Sequence, residues 1–310
     1  MTRPPFGPSS DRPLVPLSGP SLGAAHASSG RCAVWPLPPD PSCAAAARTR
    51  VRRALREMGL ADEVVSDATL AVSELVSNAY LHVIGGRHGA RGPGGRTDLE
   101  LWLYRRGRAE SSQVVCKVFD TCRDHAPPPS RGPLTENAGE HGRGLGIVDA
   151  VVAEWGCHLT RSRLGEGRAV PGKVVWFAVP APPEPRVSPG VPAVDRLTAA
   201  QAAYAIQDQL AARGILRAIR WHDHHLALVP LHPRVTVYCG DGAFTWSHDG
   251  VPARLPYTDL IDAGERLVRL HEELAVDAAD APPRRAGADG GIGGLMGLGR
   301  PGHTPEPSGT

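Results

Sequence analysis

A proline-rich segment in the second half of the chain divides it into two parts, and this division most constrains the fold. Residues 181–194 carry prolines at short intervals, which favours a semi-rigid linker. The 310 residues are 41% apolar, which suffices for one or two compact domains. We therefore predict one domain over residues 34–180 and a smaller one over residues 195–277.

The two ends of the chain lack the periodic apolar residues of a packed domain. Residues 1–33 are rich in Pro, Ser and Gly, and residues 278–310 in Gly, Ala and Pro, so we predict a disordered arm and a disordered tail. No stretch approaches the roughly 20 apolar residues of a membrane span. Prolines stand at the N-terminus where a signal peptide needs an apolar run. We therefore expect a cytoplasmic protein without membrane contact.

The net charge and the cysteine content argue against several classes of protein. The net charge of +2 gives no strong field toward nucleic acid, and no clear helix-turn-helix pattern occurs, which disfavours a DNA-binding regulator. The six cysteines form no C-x-x-C pair, so a zinc site is not expected, and they are too sparse for a disulfide framework. Lys117 and Lys173 are the only lysines; we attribute the excess of Arg to the codon usage of a GC-rich genome.

The larger domain alternates between helical and strand-like spacing of its apolar residues. In chain order the pattern predicts two helices, two strands, a long loop, a third helix and two strands, over 42–59, 62–82, 99–103, 113–119, 121–141, 144–153, 155–161 and 173–179. This order favours helices layered on one face of a mixed sheet, an α+β two-layer sandwich.

The smaller domain is predicted as a second α+β unit. A helix at 199–212 and a helix at 257–274 flank four short strands, at 216–221, 226–231, 235–239 and 244–247. The segment His222-Asp223-His224-His225 lies between two strands, where a polar turn is a commoner structure than a metal site. The pattern assigns no chemistry to this domain.

The second helix of the larger domain places three polar residues on one face. Glu74, Asn78 and His82 are four residues apart, about one helical turn each, and the opposite face is apolar. An amide oxygen suits Mg²⁺, and a carboxylate one turn earlier could accept a proton. An ordinary polar helix stripe explains this segment equally well when it is taken alone.

Two further segments carry candidate chemistry. Asp120 ends a buried strand, where a carboxylate needs a hydrogen-bond donor such as an adenine amino group, although a turn cap is the commoner explanation. Gly142, Gly144 and Gly146 stand where a helix begins, so backbone amides there could bind phosphate. A long loop precedes these glycines instead of a strand, which excludes the dinucleotide-binding fold.

The three segments together resemble the Bergerat ATP-binding fold in their order and spacing. The stretches LAVSELVSNA, GRGLGIVDAVVAEWG and GKVVWFAV, with the leading WPLPPDP, are similar to the anti-sigma regulatory serine/threonine kinases, which have a histidine-kinase-like ATPase domain. The resemblance covers about residues 35–180.

The resemblance implies a role for each matched residue. Asn78 would coordinate Mg²⁺, Glu74 would be the catalytic base and Asp120 would bind the adenine amino group of ATP. The phosphates would be covered by the glycine box, which consists of Gly142, Arg143, Gly144, Leu145 and Gly146. The implied substrate is a small anti-anti-sigma-type protein, with a sigma factor as a further candidate partner and a homodimer left open.

Two positions depart from the family pattern. Cys122 stands two positions after the Asp, where the family has Gly or another small residue. Val174 replaces the Thr of G-K-T-V-W, which can hydrogen-bond near adenine. These departures favour an alternative of another class, a catalytically weak, nucleotide-gated module that binds proteins.

Overall fold

The computed structural model describes seven stretches of the chain. They are residues 32–83, 99–123, 143–165, 169–183, 197–217, 221–223 and 225–280. Most of the predicted arm, loop, linker and tail lies outside the described residues. β1 begins at Ala33, the last residue of the predicted arm, and the final helix extends to Asp280.

The first domain contains three helices and five strands within the described residues. They are β1 (Ala33–Pro36), α1 (Cys43–Glu57), α2 (Asp62–Val83), β2 (Glu100–Arg106), β3 (Gln113–Asp120), α3 (Arg143–Val151), β4 (Glu154–Arg161) and β5 (Pro171–Pro180). Each predicted helix and strand of this domain is present with shifts of a few residues at its ends. Gly59 adopts a φ of 77°, the left-handed conformation that commonly follows a helix.

The five strands form one sheet in the order β1-β2-β3-β5-β4, and every neighbouring pair is antiparallel. The sheet is therefore antiparallel throughout, and the prediction of a mixed sheet was wrong in this detail. The edge strand β1 was not among the predicted strands, and its Pro36 cannot donate a ladder hydrogen bond, which an edge position tolerates.

One face of this sheet packs against the helices in an apolar core. Alternate strand residues supply it, among them Leu101, Val118 and Phe177, and Val51 of α1 and Val76 of α2 face them. The arrangement confirms the predicted two-layer sandwich, because burial of one helix stripe against one sheet face is what the apolar spacing requires.

The second domain has its own core and a five-stranded antiparallel sheet in the order β10-β9-β8-β7-β6. Its elements are α4 (Ala199–Ala211), β6 (Trp221–His222), β7 (Leu226–His232), β8 (Val235–Gly240), β9 (Ala243–His248), β10 (Val251–Pro256) and α5 (Leu260–Asp280). The strand β10 was not predicted from the sequence. It follows a two-residue hairpin turn, in which Asp249 and Gly250 have positive φ values. A 3₁₀ turn at Tyr257–Asp259 delays the start of the last helix.

The helix α5 contributes to both domains. Ala263, Leu267 and Leu274 are buried in the second core. On its other side, Asp262 accepts a hydrogen bond of 3.1 Å from the Tyr104 hydroxyl on the second face of the first sheet. This face is the one that α1, α2 and α3 leave uncovered, so the second domain completes the packing of the first.

No helix in the described part of the chain is long and apolar enough to span a lipid bilayer.

Candidate functional site

The helix α2 holds Glu74 and Asn78 at the margin of the apolar core. Its buried stripe includes Val72, Leu75 and Ala79, and this stripe sets the rotation of the helix on the sheet. Glu74 and Asn78 lie beside the stripe and are half-buried. Their polar atoms are therefore held in place by the packing of their neighbours while they remain accessible.

Gly144 brings the start of α3 against these two side chains. A Cβ atom placed on Gly144 would lie 2.9 Å from Oε2 of Glu74 and 3.2 Å from Nδ2 of Asn78. Val148, one turn later, is fully buried and fixes α3 on the core. The first helical turn of α3, whose backbone amides have no partner within the helix, thus lies directly beside the two polar residues of α2.

Asp120 lies on the same face of the sheet as α2. Val118, two residues earlier, belongs to the core that faces the helices, and strand residues two apart point to the same face. Oδ1 of Asp120 accepts a 2.8 Å hydrogen bond from the Cys122 amide and a 2.6 Å bond from Nζ of Lys173. Burial raises the pKa of the Asp120 carboxyl, and Lys173 offsets part of this effect.

Lys173 lies beside Asp120, although the motif GKVVWFAV that contains it gave it no role in the sequence analysis. Its ammonium also donates a 2.5 Å hydrogen bond to the Cys122 carbonyl, so it binds both ends of the turn after β3. A signal for it existed, because Lys117 and Lys173 are the only lysines and both are buried in ion pairs. The codon-usage interpretation explains the many arginines, but it does not explain why lysine occupies these two buried positions.

The two departures from the family pattern have different structural consequences. Cys122 is buried in the core beside the turn, and its backbone groups bond Asp120 and Lys173. Val174 lies on the opposite face of the sheet, in a cluster with Trp102 and Phe119. The expectation that Val174 removes a contact near adenine was therefore wrong, since its side chain points away from the α2 face.

The structure describes only some of the remaining predicted site residues. Gly142 lies outside the described residues, and Arg143 is the first residue of α3 without a described side chain. Leu145 packs partly against the core and Gly146 is half-buried within α3. His82, in the last turn of α2, is also half-buried. Among the predicted residues, the structure brings together Glu74, Asn78 and Gly144.

The segment that contains three histidines forms a turn where it is described. Oδ1 of Asp223 accepts hydrogen bonds from the backbone amides of His225 at 2.7 Å and Leu226 at 2.8 Å. Across the part of the chain that the structure describes, no group of three or more His, Cys, Asp or Glu side chains could hold a metal ion.

Residues 37–171 match the family model of the histidine kinase-like ATPase domain. The matched segment spans the first domain from the residue after β1 to the start of β5. The match supports the histidine kinase-like ATPase fold for the first domain, and ATP binding is the function that this fold implies. No curated protein matches the chain.

The residues of the first domain fit a nucleotide. Because Gly144 has no side chain, the start of α3 approaches the polar atoms of Glu74 and Asn78 more closely than another residue would allow. The helix start offers amide donors for phosphate, and Asn78 offers an amide oxygen of the kind that Mg²⁺ binds. The hydrogen bonds from Cys122 and Lys173 both go to Oδ1 of Asp120, so neither of them uses Oδ2.

Proposed function

We propose that the first domain is a Mg²⁺- and ATP-dependent serine/threonine kinase. Its substrate is a small anti-anti-sigma-type protein, and a sigma factor is its second partner, so that phosphorylation controls transcription through partner switching. The observation that carries this proposal is the packing of Gly144 against Glu74 and Asn78, which joins two of the three motifs in one place.

In this proposal each motif holds one part of the nucleotide. Asn78 binds Mg²⁺, the amides at the start of α3 receive the phosphates, and Asp120 accepts a hydrogen bond from the adenine amino group. Bound Mg²⁺ supplies positive charge that neutralises the transferring phosphoryl group. Arg143, Leu145 and the other residues of the glycine box cover the phosphates.

Glu74 is the proposed catalytic base. It lies one turn before Asn78 on the same helix face, so a hydroxyl near the terminal phosphate could reach both residues. A carboxylate in that position would accept the proton of the attacking serine or threonine hydroxyl as its oxygen bonds the γ-phosphorus of ATP, while the bond from that phosphorus to the bridging oxygen breaks and ADP leaves. The half-buried position of Glu74 beside the start of α3 supports this role.

Nucleotide binding is tested by thermal unfolding of the full chain with and without Mg²⁺ and ATP. At a nucleotide concentration about 100 times Kd, binding stabilises the folded state by about 2.7 kcal/mol, which raises Tm measurably. We expect the rise in the wild type and in Ser66→Ala, an exposed control on α2, and no rise in Asn78→Ala. A wild type whose Tm does not respond to ATP contradicts the proposal.

Catalysis is tested separately by transfer of labelled phosphate to proteins that co-purify with the chain. We expect Glu74→Gln to retain ATP binding and to lose phosphate transfer, because the amide cannot accept the proton. Phosphoserine or phosphothreonine mapping of the labelled protein identifies the substrate.

The alternative is a nucleotide-gated module that binds its partner without phosphorylating it. Cys122 is the departure that still favours it, since its backbone amide bonds the Asp120 carboxylate while its side chain is buried in the core. ATP binding by the wild type without any transfer to the captured partner would favour the module over the kinase.

A further inference from the structure

Glu272 of the second domain forms ion pairs with two arginines of the first. It lies on α5, and only 2% of the residue is exposed. Its Oε2 accepts a 2.6 Å hydrogen bond from Nη1 of Arg123, and its Oε1 accepts a 2.6 Å bond from Nε of Arg161. Both oxygens of this buried carboxylate therefore face a guanidinium.

Arg123 connects this ion pair to the purine end of the site. It is the residue after Cys122, whose amide binds Asp120 and whose carbonyl binds Lys173. The turn from Asp120 to Arg123 is therefore held at two points, by Lys173 from within the first domain and by Glu272 from the second.

The other arginine fixes Glu272 itself. Nη1 of Arg161 donates to the carbonyls of Arg213 and Gly214, which follow α4, at 3.3 Å and 3.2 Å. Nη2 of Arg161 lies 3.2 Å from Nε2 of His271, the neighbour of Glu272 on α5. Arg161 thus holds the Glu272 carboxylate in place through bonds to residues of the second domain. Arg123 then pairs with a carboxylate whose position is already fixed.

We propose that Glu272 is a positioning residue for nucleotide recognition, acting through Arg123 on the turn that presents Asp120. The second domain then sets the affinity and the purine selectivity of the first. This inference rests on the proposed function in one respect, the assignment of Asp120 to the adenine amino group. By thermodynamic reciprocity, a ligand that shifts α5 changes ATP affinity, and ATP changes the affinity for that ligand.

The test compares ATP with ITP, whose base lacks the exocyclic amino group. Dissociation constants are measured on the full chain, well below its unfolding temperature, for the wild type, Glu272→Gln and Glu273→Gln. Glu273 is the matched control because it is adjacent on α5 and forms an exposed pair with Arg269. We expect Glu272→Gln to weaken ATP binding about tenfold with little change for ITP, and the control to match the wild type.

The ratio of the two affinities separates positioning from a general loss of structure. A merely structural effect weakens ATP and ITP alike, so an unchanged ratio in Glu272→Gln overturns the inference. Should that variant fail to fold, Arg123→Met removes the same pair while Glu272 keeps Arg161, and the same fall in selectivity is expected. If the wild type binds ATP and ITP equally, Asp120 does not read the adenine amino group and the inference is wrong. If the wild type binds neither nucleotide, the proposal of ATP binding is wrong.

Discussion

The two faces of the first sheet are buried by different means. The face toward α1, α2 and α3 is apolar, and its polar residues Glu74 and Asn78 lie at the margin. The face toward α5 buries ionised groups at its centre, among them Lys117 and Glu265, with side chains 4% and 2% exposed. The first face thus offers accessible polar atoms for a ligand, whereas the second uses its charges to join two domains.

The second face remains stable because nearly every charge has partners. Glu100 accepts hydrogen bonds from the Trp102 indole at 2.8 Å and from the Arg163 amide at 2.9 Å, and it also bonds the Ser162 hydroxyl. The guanidinium of Arg213 lies 4.5 Å from the centre of the Trp102 ring. Buried charge of this kind confers little net stability when intact, but the loss of one partner is costly.

The largest effect is expected from removal of the central carboxylate of the second face. Glu265 binds Lys117 at 3.0 Å, Arg163 at 2.7 Å and also Arg213. Against the effect of burial, these cations lower the pKa of Glu265 well below its usual range. Glu265→Gln leaves them unneutralised and should lower the free energy of unfolding by about 3–5 kcal/mol, as measured by urea denaturation.

The control for this variant is Glu273→Gln on the exposed side of α5. Its pair with Arg269 is half-exposed, so we expect a change within about 0.5 kcal/mol. If Glu265→Gln costs no more than this control, the second face does not depend on its charges and the contrast between the two faces is wrong.

A smaller effect of another kind is expected on the first face. Gly144→Ala places a methyl group against Oε2 of Glu74 and Nδ2 of Asn78. These are ends of half-buried side chains that can move, so the fold should tolerate the change, while ATP affinity falls about 10- to 100-fold through misplaced ligands. Calorimetric titration of ATP measures it, with Ala150→Ser on the exposed side of α3 as the control. Unchanged affinity would separate α3 from the nucleotide site.

The smallest effect is expected when the pH is lowered, because His158 on the second face makes the free energy of unfolding depend on pH. Nδ1 of His158 lies 3.0 Å from the Leu159 carbonyl and Nε2 lies 3.3 Å from Nζ of Lys117, which requires a neutral ring. Burial and Lys117 lower the pKa of His158 to about 3, with Glu265 and Arg269 as the other charged neighbours. Since the unfolded histidine has a pKa of about 6.5, the unfolded chain binds more protons below that pH.

Stability attributable to His158 is therefore complete above about pH 6.5 and is lost at about 1.4 kcal/mol per unit as the pH falls toward 3. Between pH 7.5 and pH 5 the wild type should lose about 2 kcal/mol more than His158→Gln, as measured by urea denaturation at each pH. Equal losses in the two proteins would show that His158 accepts a proton in the folded state.

The first face could be predicted from the sequence because a single physical rule governs it. The apolar spacing of Val72, Leu75 and Ala79 fixes which side of α2 is buried, and the position of Glu74 and Asn78 follows. The glycines of the third motif likewise indicated a close backbone approach, and Gly144 makes it.

The second face could not be predicted, because its partners are far apart in the sequence. Lys117 and Glu265 are 148 residues apart, and neither has a local pattern that distinguishes it from a solvent-exposed charge. The acidic residues Asp262, Glu265 and Glu272 recur at helical spacing on α5, which by itself is typical of an exposed helix face. Only the folded arrangement shows that this stripe is the buried one.

The position of α5 at the end of the described chain has a consequence for synthesis on the ribosome. Residues 260–280 emerge more than a hundred residues after β2 and β3, so the sheet face that carries Glu100 and Lys117 stays hydrated until α5 has been synthesised. A nascent chain therefore holds the sheet of the first domain half-covered until α5 becomes available. The ion pairs of Glu272 with Arg123 and Arg161 form only after α5 has docked.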